Sequence, residues 1–362
     1  MKLSVPHINK NDINSINKVL KSGWISTSSK PVNIFENKIA KFCKTKYAVA
    51  LNSGTSAIHL GLKVLGVDHN SEVIVPSLTF IATVNPVLYL GAKPIICDID
   101  QYHNLKIDDV ITFIKTKTIF KRNFTINKKT GKAIKVIIVA HMWGRSCNFS
   151  KLKHLCKVRN IHILEDAAEA LGSYIKLNKH YHCGSIGDIG CLSFNANKII
   201  TTGSGGAIIT NNRKFYKKIQ YLANQAKDDT FNYIHNDCGY NYKINSISAA
   251  LGISQIRRIK KKINLREKIY KQYLQNFKNS KNIQILPFDR KSKINYWMNV
   301  LFFKNLNLKQ TYNLSLYLNK KKIETRRIWR PLNLQRHLKK FQSYNIVNAP
   351  KFYSSSLCVP SD

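Results

Sequence analysis

Lys198 lies in the run Cys191-Leu-Ser-Phe-Asn-Ala-Asn-Lys-Ile-Ile-Thr-Thr-Gly-Ser-Gly-Gly206, between an apolar stretch and a turn rich in threonine and glycine. Such a turn lets backbone approach a ligand and presents the amine to a pocket. At the end of another apolar run, Ile161-His-Ile-Leu-Glu-Asp166 delivers the Asp166 carboxylate to what can be the same sheet edge. A lysine amine can form a Schiff base with an aldehyde, and a carboxylate can keep a pyridine nitrogen protonated; together they are what pyridoxal phosphate requires. A third run, Asn52-Ser-Gly-Thr-Ser56, follows one apolar segment and opens a helix. Its Gly54 permits a tight turn, Ser53 or Thr55 can cap, and the free N–H groups favour a phosphate.

Each of these runs also has a plain structural reading. Most lysines in a chain with 59 Lys and Arg are solvated, a strand-end aspartate is often a helix cap, and Ser-Gly-Thr is an ordinary β–α turn. Their joint occurrence favours a site. Glu165 competes with Asp166, but as its neighbour on a strand it points the opposite way. Gly203-Ser-Gly-Gly206 lacks the last glycine of a dinucleotide loop, and no stretch matches a P-loop.

The runs need a frame. From about residue 45 to 215 short apolar segments alternate with helical ones: strands at Tyr47–Leu51, Glu72–Val75, Pro94–Cys97, Val136–Val139, His162–Leu164, Gly190–Phe194 and Ala207–Thr210, and helices at Thr55–Leu65, Thr79–Tyr89 and Phe149–Val158. Several strands are unbroken β-branched runs, the mark of strands covered on both faces. The expected class is α/β, a mostly parallel mixed sheet covered by helices. Residues 118–134 read as an inserted hairpin turning at Lys-Thr-Gly-Lys. Ile247–Tyr273 reads as one long helix bridging to an α+β appendage, with strands at Asn282–Leu286 and Tyr296–Phe303 and a helix at Gln310–Lys320. The division expected is a large domain over 1–245 and a linker helix with a smaller C-terminal domain over 246–362.

Composition narrows the class. Hydrophobic residues make up 44% of 362, enough for a full core. No stretch approaches the roughly 20 apolar residues of a membrane span, and the start has no signal-like apolar core. Eight scattered cysteines form no CxxC pair and no metal-ligand spacing, which predicts reduced thiols, no metal and a cytoplasmic protein. The net charge of +40 would suit polyanions, but the basic residues are spread along the chain and no nucleic-acid motif frames them. We read the charge as coding bias that also assists capture of an anionic small ligand, with neither nucleic acid nor membrane as partner.

In order and wording, the motifs resemble the DegT/StrS-type nucleotide-sugar aminotransferases, pyridoxal phosphate enzymes of the type I aminotransferase fold. The likeness runs through Ser22-Gly-Trp-Ile25, Phe35-Glu36, Asn52-Ser-Gly-Thr55, Val75-Pro-Ser-Leu-Thr-Phe-Ile-Ala-Thr83 and Ala140-His-Met-Trp-Gly144. It continues through Glu165-Asp-Ala-Ala-Glu-Ala-Leu-Gly172, Gly187-Asp-Ile-Gly190, Asn197-Lys-Ile-Ile-Thr-Thr-Gly203, Gly239-Tyr-Asn-Tyr242 and Ile323-Glu-Thr-Arg326. The resemblance implies that Lys198 would bond the cofactor and later move the substrate proton, while Asp166 would pair with the ring nitrogen. Phe80 would stack on the ring, Gly54, Thr55 and Ser193 would bind its phosphate, and Asn241 would reach that phosphate from a second subunit of a homodimer. Glu169, Asn197, Lys243 and Arg326 would face the substrate. Glutamate would supply the amine, passing it through pyridoxamine phosphate to a keto group on a nucleotide-linked sugar.

Asn197, the Thr125-Ile-Asn-Lys-Lys-Thr-Gly131 insertion and Gln225-Ala-Lys-Asp-Asp229 look most like enzymes that aminate C4 of 4-keto-6-deoxy sugars, with UDP favoured over GDP and viosamine, perosamine or bacillosamine types as products. Rival readings are a 3-keto-sugar aminotransferase, a pyridoxamine phosphate-dependent dehydratase and a non-catalytic regulator of the same fold. The dehydratases carry histidine in the lysine position, and intact Lys198 and Asp166 argue against a regulator. Three positions depart from the family pattern: Ser204 replaces a Glu, Ser29 a Gly and Lys243 an Arg. The first loosens the expected hydrogen bonding of its loop; the last keeps the charge but not the bidentate geometry. The chain stops at Val359-Pro-Ser-Asp362, where relatives continue into a final helix.

Overall fold

The computed structural model describes residues 1–362. The strands are β1 (Tyr47–Leu51), β2 (Ser71–Pro76), β3 (Lys93–Cys97), β4 (Thr118–Lys121), β5 (Phe124–Asn127), β6 (Ala133–Ala140), β7 (His162–Asp166), β8 (Tyr174–Lys176), β9 (His180–His182), β10 (Ile189–Ser193) and β11 (Gly206–Thr210), followed by β12 (Ile283–Ile285), β13 (Ser292–Lys293), β14 (Asn299–Phe303), β15 (Arg326–Arg327), β16 (Ser343–Tyr344) and β17 (Ser356–Val359). The helices are α1 (Lys10–Lys21), α2 (Lys30–Cys43), α3 (Gly54–Val64), α4 (Asn85–Tyr89), α5 (Ile107–Lys117), α6 (Ser150–Val158), α7 (Arg213–Ala223), α8 (Ser246–Ile256), α9 (Ile259–Asn276), α10 (Leu308–Lys320) and α11 (Asn348–Ser355).

The main sheet runs β1-β11-β10-β7-β6-β2-β3-β16. From β10 to β16 every neighbouring pair is parallel, whereas β11 is antiparallel to both β10 and β1. β1 therefore points the same way as β10, β7, β6 and β2, and the carboxyl ends of all five open on one edge. In parallel sheets that edge is where ligands sit. The apolar runs behave as doubly covered strands should: all six residues of β2 are buried, with Val73 and Val75 in one apolar layer and Ile74 in the other.

A second sheet, β12-β14-β17-β15, is antiparallel and comes from the last part of the chain. A third joins β13 to the β8–β9 hairpin. The last third of the chain therefore also returns to the first part, through β13 and through β16, which pairs with β3. No helix is long and apolar enough to cross a membrane. All eight cysteines are free thiols, and seven are buried.

Three elements differ from expectation. The stretch expected as a Thr79–Tyr89 helix is a 3-10 turn at Ile81–Thr83 followed by the short α4, because Pro86 suits only a helix's first turn. The long helix expected over 247–273 breaks after Ile256. Arg258 leaves helical geometry at φ −106°, ψ 3°, and its guanidinium pairs with the buried Asp12 of α1. The insertion turns first at Arg122-Asn123, whose φ values of 51° and 64° make a hairpin turn between β4 and β5. The Lys-Lys-Thr-Gly segment is a second turn, leading from β5 into β6.

Candidate active site

Five carboxyl ends supply the site. After β1, Ser53 caps α3 by accepting the Ser56 N–H at 3.0 Å, leaving the first helical N–H groups, those of Gly54 and Thr55, without intrahelical acceptors. After β2 come Thr79, Phe80 and Thr83; β6 ends at Ala140 before His141 and Met142; β7 ends on Asp166; β10 ends on Ser193, ahead of Asn195, Asn197 and Lys198. These residues line one cavity of about 480 Å³, together with Glu169, Ser204, Trp297, Arg326 and Trp329. That volume is in the range of small-molecule sites.

The Asp166 carboxylate is buried and oriented from two sides. Its Oδ2 accepts the Thr83 hydroxyl at 2.7 Å, and its Oδ1 accepts the Ala168 N–H at 3.1 Å. A carboxylate offers about four acceptor positions, so capacity remains for a donor in the cavity. Glu165, next in the chain, points the other way as expected. It accepts from His141 Nε2 at 2.8 Å and from the backbone N–H groups of Gly184, Ile186 and Gly187. Burial alone would raise this carboxyl, but the His141 bond and the backbone donors prevail and leave it below its usual range. Cys147 donates its N–H to His141 Nδ1 at 3.0 Å, which leaves Nε2 as the protonated nitrogen facing Glu165.

The Lys198 ammonium reaches 3.1 Å from Glu169 Oε1 and lies 4.2 Å from the centroid of the Trp297 ring. Glu169 Oε2 accepts the Trp143 N–H at 2.8 Å. Burial pushes the Glu169 carboxyl above its usual range, against the pull of the Lys198 charge. The backbone at Trp143 is bent to φ 58°, which places its N–H at Glu169 while its ring stacks on Trp297 and, at 4.5 Å, on Trp329. Phe80, half exposed at the rim, lies 5.4 Å from Trp329.

Of the residues singled out in the sequence, Gly54, Thr55, Phe80, Asp166, Glu169, Ser193, Asn197, Lys198 and Arg326 are brought together here. Asn241 and Lys243 are not. Asn241 is exposed, its carbonyl accepting from Asn52 Nδ2, and the Lys243 ammonium is held at 2.5 Å by Glu36. Ser204 bonds its loop after all, donating its hydroxyl to the Asn52 carbonyl at 2.8 Å, and Ser29 meets the Ser246 hydroxyl at 2.6 Å. The sequence reading missed Thr83, Trp297 and Trp329 as cavity residues. Only the scarcity of tryptophan, four in the whole chain, marks the last two.

The arrangement fits pyridoxal phosphate. It offers a lysine amine, an oriented carboxylate with spare acceptor capacity, and a helix N-terminus for a phosphate. Gly54 belongs to that cradle, because a Cβ there would lie 2.9 Å from the Ser193 Cβ.

The model of the DegT/DnrJ/EryC1/StrS aminotransferase family matches residues 6–362. The GDP-perosamine synthase of Escherichia coli O157:H7 is 32% identical over 351 residues, 94% of this chain and 90% of its own. A UDP-4-amino-4,6-dideoxy-N-acetyl-beta-L-altrosamine transaminase of Campylobacter jejuni is 30% identical over 367 residues, 98% of this chain and 90% of its own. The pyridoxal phosphate form of Spr1654 from Streptococcus pneumoniae, named a putative sugar aminotransferase, superposes with a TM-score of 0.87 at 26% identity, covering 100% of this chain and 93% of that one. With its amine and its carboxylate set on one sheet edge, this chain belongs to the DegT/DnrJ/EryC1/StrS family and is a pyridoxal phosphate-dependent aminotransferase.

Proposed function

We propose that this protein aminates a nucleotide-linked sugar: it transfers the amino group of glutamate to C4 of a 4-keto-6-deoxyhexose, UDP-linked by preference and GDP-linked as the second choice, giving a 4-amino-4,6-dideoxy sugar of the viosamine, perosamine or bacillosamine type. The observation that carries the reading is that Lys198 and Asp166 open into the same cavity, with the α3 N-terminus beside them. The names of the relatives, one GDP-linked and one UDP-linked, support the sugar class.

When bound, the cofactor supplies an aldehyde carbon and an electron-withdrawing ring. Asp166, held by Thr83 and Ala168, keeps the proton on the ring nitrogen. Gly54, Thr55 and Ser193 would hold the phosphate, and Phe80 would pack against the ring. Lys198 moves the proton at the carbon that gains or loses the amine, with Glu169 orienting its Nζ. Arg326 and Asn197, which also line the cavity, face the anionic substrate. In this reading the chain divides near residue 245 into a cofactor-binding part and a smaller C-terminal part. A homodimer completes the site: Asn241 lies outside its own chain's cavity and serves a second copy, and Lys243, paired with Glu36, lies outside that cavity as well.

The experiment is incubation of the protein with pyridoxal phosphate, glutamate and a panel of UDP-, GDP- and dTDP-linked 4-keto and 3-keto 6-deoxy sugars, with products read by mass and NMR. Amine gained at C4, with 2-oxoglutarate released, is the expected result. Amine gained only at C3, or by no keto sugar at all, refutes the C4 assignment.

A further inference from the structure

We propose that Trp297 is a positioning residue for Lys198, holding its amine by the ring face and its backbone by the indole N–H. The inference rests on the assignment of Lys198 as the amine of the proposed function. Trp297 is contributed by the segment just before β14, far along the chain, and its side chain is buried.

Two independent contacts meet at this ring. The Lys198 Nζ stands 4.2 Å from the ring centroid with its side chain only 12% exposed, and a cation–π contact strengthens as its partners are shielded from water. Trp297 Nε1 donates at 2.7 Å to the carbonyl of Asn197, the residue immediately before the lysine. The ring therefore fixes both ends of Lys198.

Trp297 is itself registered against the carboxylate on the amine's other side. Its N–H donates at 3.0 Å to Asn295 Oδ1, and Asn295 Nδ2 donates to the carbonyls of Glu169 at 2.7 Å and Leu171 at 3.0 Å. The contacts close a circuit from Lys198 to Glu169, through Asn295 to Trp297, and back to Lys198. Gly144 preserves it: a Cβ at that position would sit 1.9 Å from Asn295 Oδ1. A lysine side chain has four rotatable bonds, so an amine that must meet one carbon benefits from being held by more than a single ion pair.

The test uses Trp297→Phe, which keeps an aromatic face and loses the N–H, and Trp297→Leu, which loses both. In the full-length chain stripped of cofactor, pulse labelling with acetic anhydride and peptide mass spectrometry reports the reactivity of each lysine. Lys243 is an internal control: its side chain is 14% exposed against 12% for Lys198, and it is paired with Glu36 away from the cavity. The expected result is that Lys198 labels about tenfold faster in Trp297→Leu and about threefold faster in Trp297→Phe, with Lys243 unchanged. With keto sugar and glutamate, kcat falls in the same order while KM for the nucleotide sugar holds.

Wild-type labelling of Lys198 in either folded variant overturns the proposal. So does an equal rise at Lys243, which would mean general loosening. Should Trp297→Leu not fold, Trp297→Phe decides alone. Because the labelling needs no substrate, a failure of the sugar assignment leaves it readable.

Discussion

Thr83 donates its hydroxyl to Asp166 Oδ2 at 2.7 Å, and the Thr83 oxygen in turn lies 2.6 Å from Thr79 Oγ1. Since the Thr83 hydrogen goes to the carboxylate, Thr79 donates to Thr83, and both dipoles point at the acid. Substituting Thr83 by Val keeps the shape and removes the donor. Hydrogen bonds to charged groups contribute about 1.5–3 kcal/mol, so about tenfold or greater loss of pyridoxal phosphate affinity is expected, measured by fluorescence titration. Thr79→Ser should leave it near wild type.

Gly54 admits no side chain without displacing Ser193. Gly54→Ala is therefore expected to lower stability by about 1–3 kcal/mol in urea unfolding and to weaken cofactor binding with it. Adding Ser193→Gly to Gly54→Ala removes the clash and should recover the stability but not the binding, because the Ser193 hydroxyl is gone.

Arg145 is fully buried and faces no carboxylate; it donates to the carbonyls of Leu286 at 2.8 Å, Pro287 at 3.0 Å and Met298 at 3.2 Å. Burial lowers its guanidinium to about 10. The three acceptors flank the Trp297 segment, so Arg145 fastens that segment to the loop after β6. Lysine cannot span three carbonyls, and each buried carbonyl left unpaired costs about 1–3 kcal/mol. Arg145→Lys should lower the unfolding free energy by about 2 kcal/mol or more.

Asp100 accepts the N–H groups of Tyr102 and Asn104, and Asn104 in turn holds Met142 N–H and the Ser146 carbonyl below the cavity. Burial raises the Asp100 carboxyl to about 6, despite the opposing pull of those backbone donors. A carboxyl raised on folding favours its protonated form in the native state. Its contribution is thus complete below pH 3.8, the ordinary value, and is lost as pH rises through about 6. Relative to Asp100→Asn, the parent should lose up to about 3 kcal/mol between pH 4 and pH 7, measured by denaturant unfolding across that range.

The chemistry was legible where it depends on local runs. Lys198, Asp166 and Gly54-Thr55 each follow an apolar strand whose end can be read from the sequence, and parallel strands bring such ends to one edge. What local pattern cannot show is a partner from far along the chain. Trp297 reaches Lys198, Arg258 breaks a helix for Asp12, and Lys243 turns to Glu36, each through contacts that carry no periodic trace. The break after Ile256 is hidden because helical apolar spacing continues across it, from Ile253 and Ile256 before it to Ile259 and Ile263 after it. Short strands such as β15 and β16, two residues each, are likewise too brief to leave a pattern.

The most direct measurement is reduction of the protein with borohydride in the presence of pyridoxal phosphate, followed by peptide mapping. The expected result is a single cofactor adduct on Lys198 that disappears in Lys198→Ala. With 59 lysines and arginines in the chain, adducts spread evenly over surface lysines, with Lys198 unmodified, would contradict the assignment of the site.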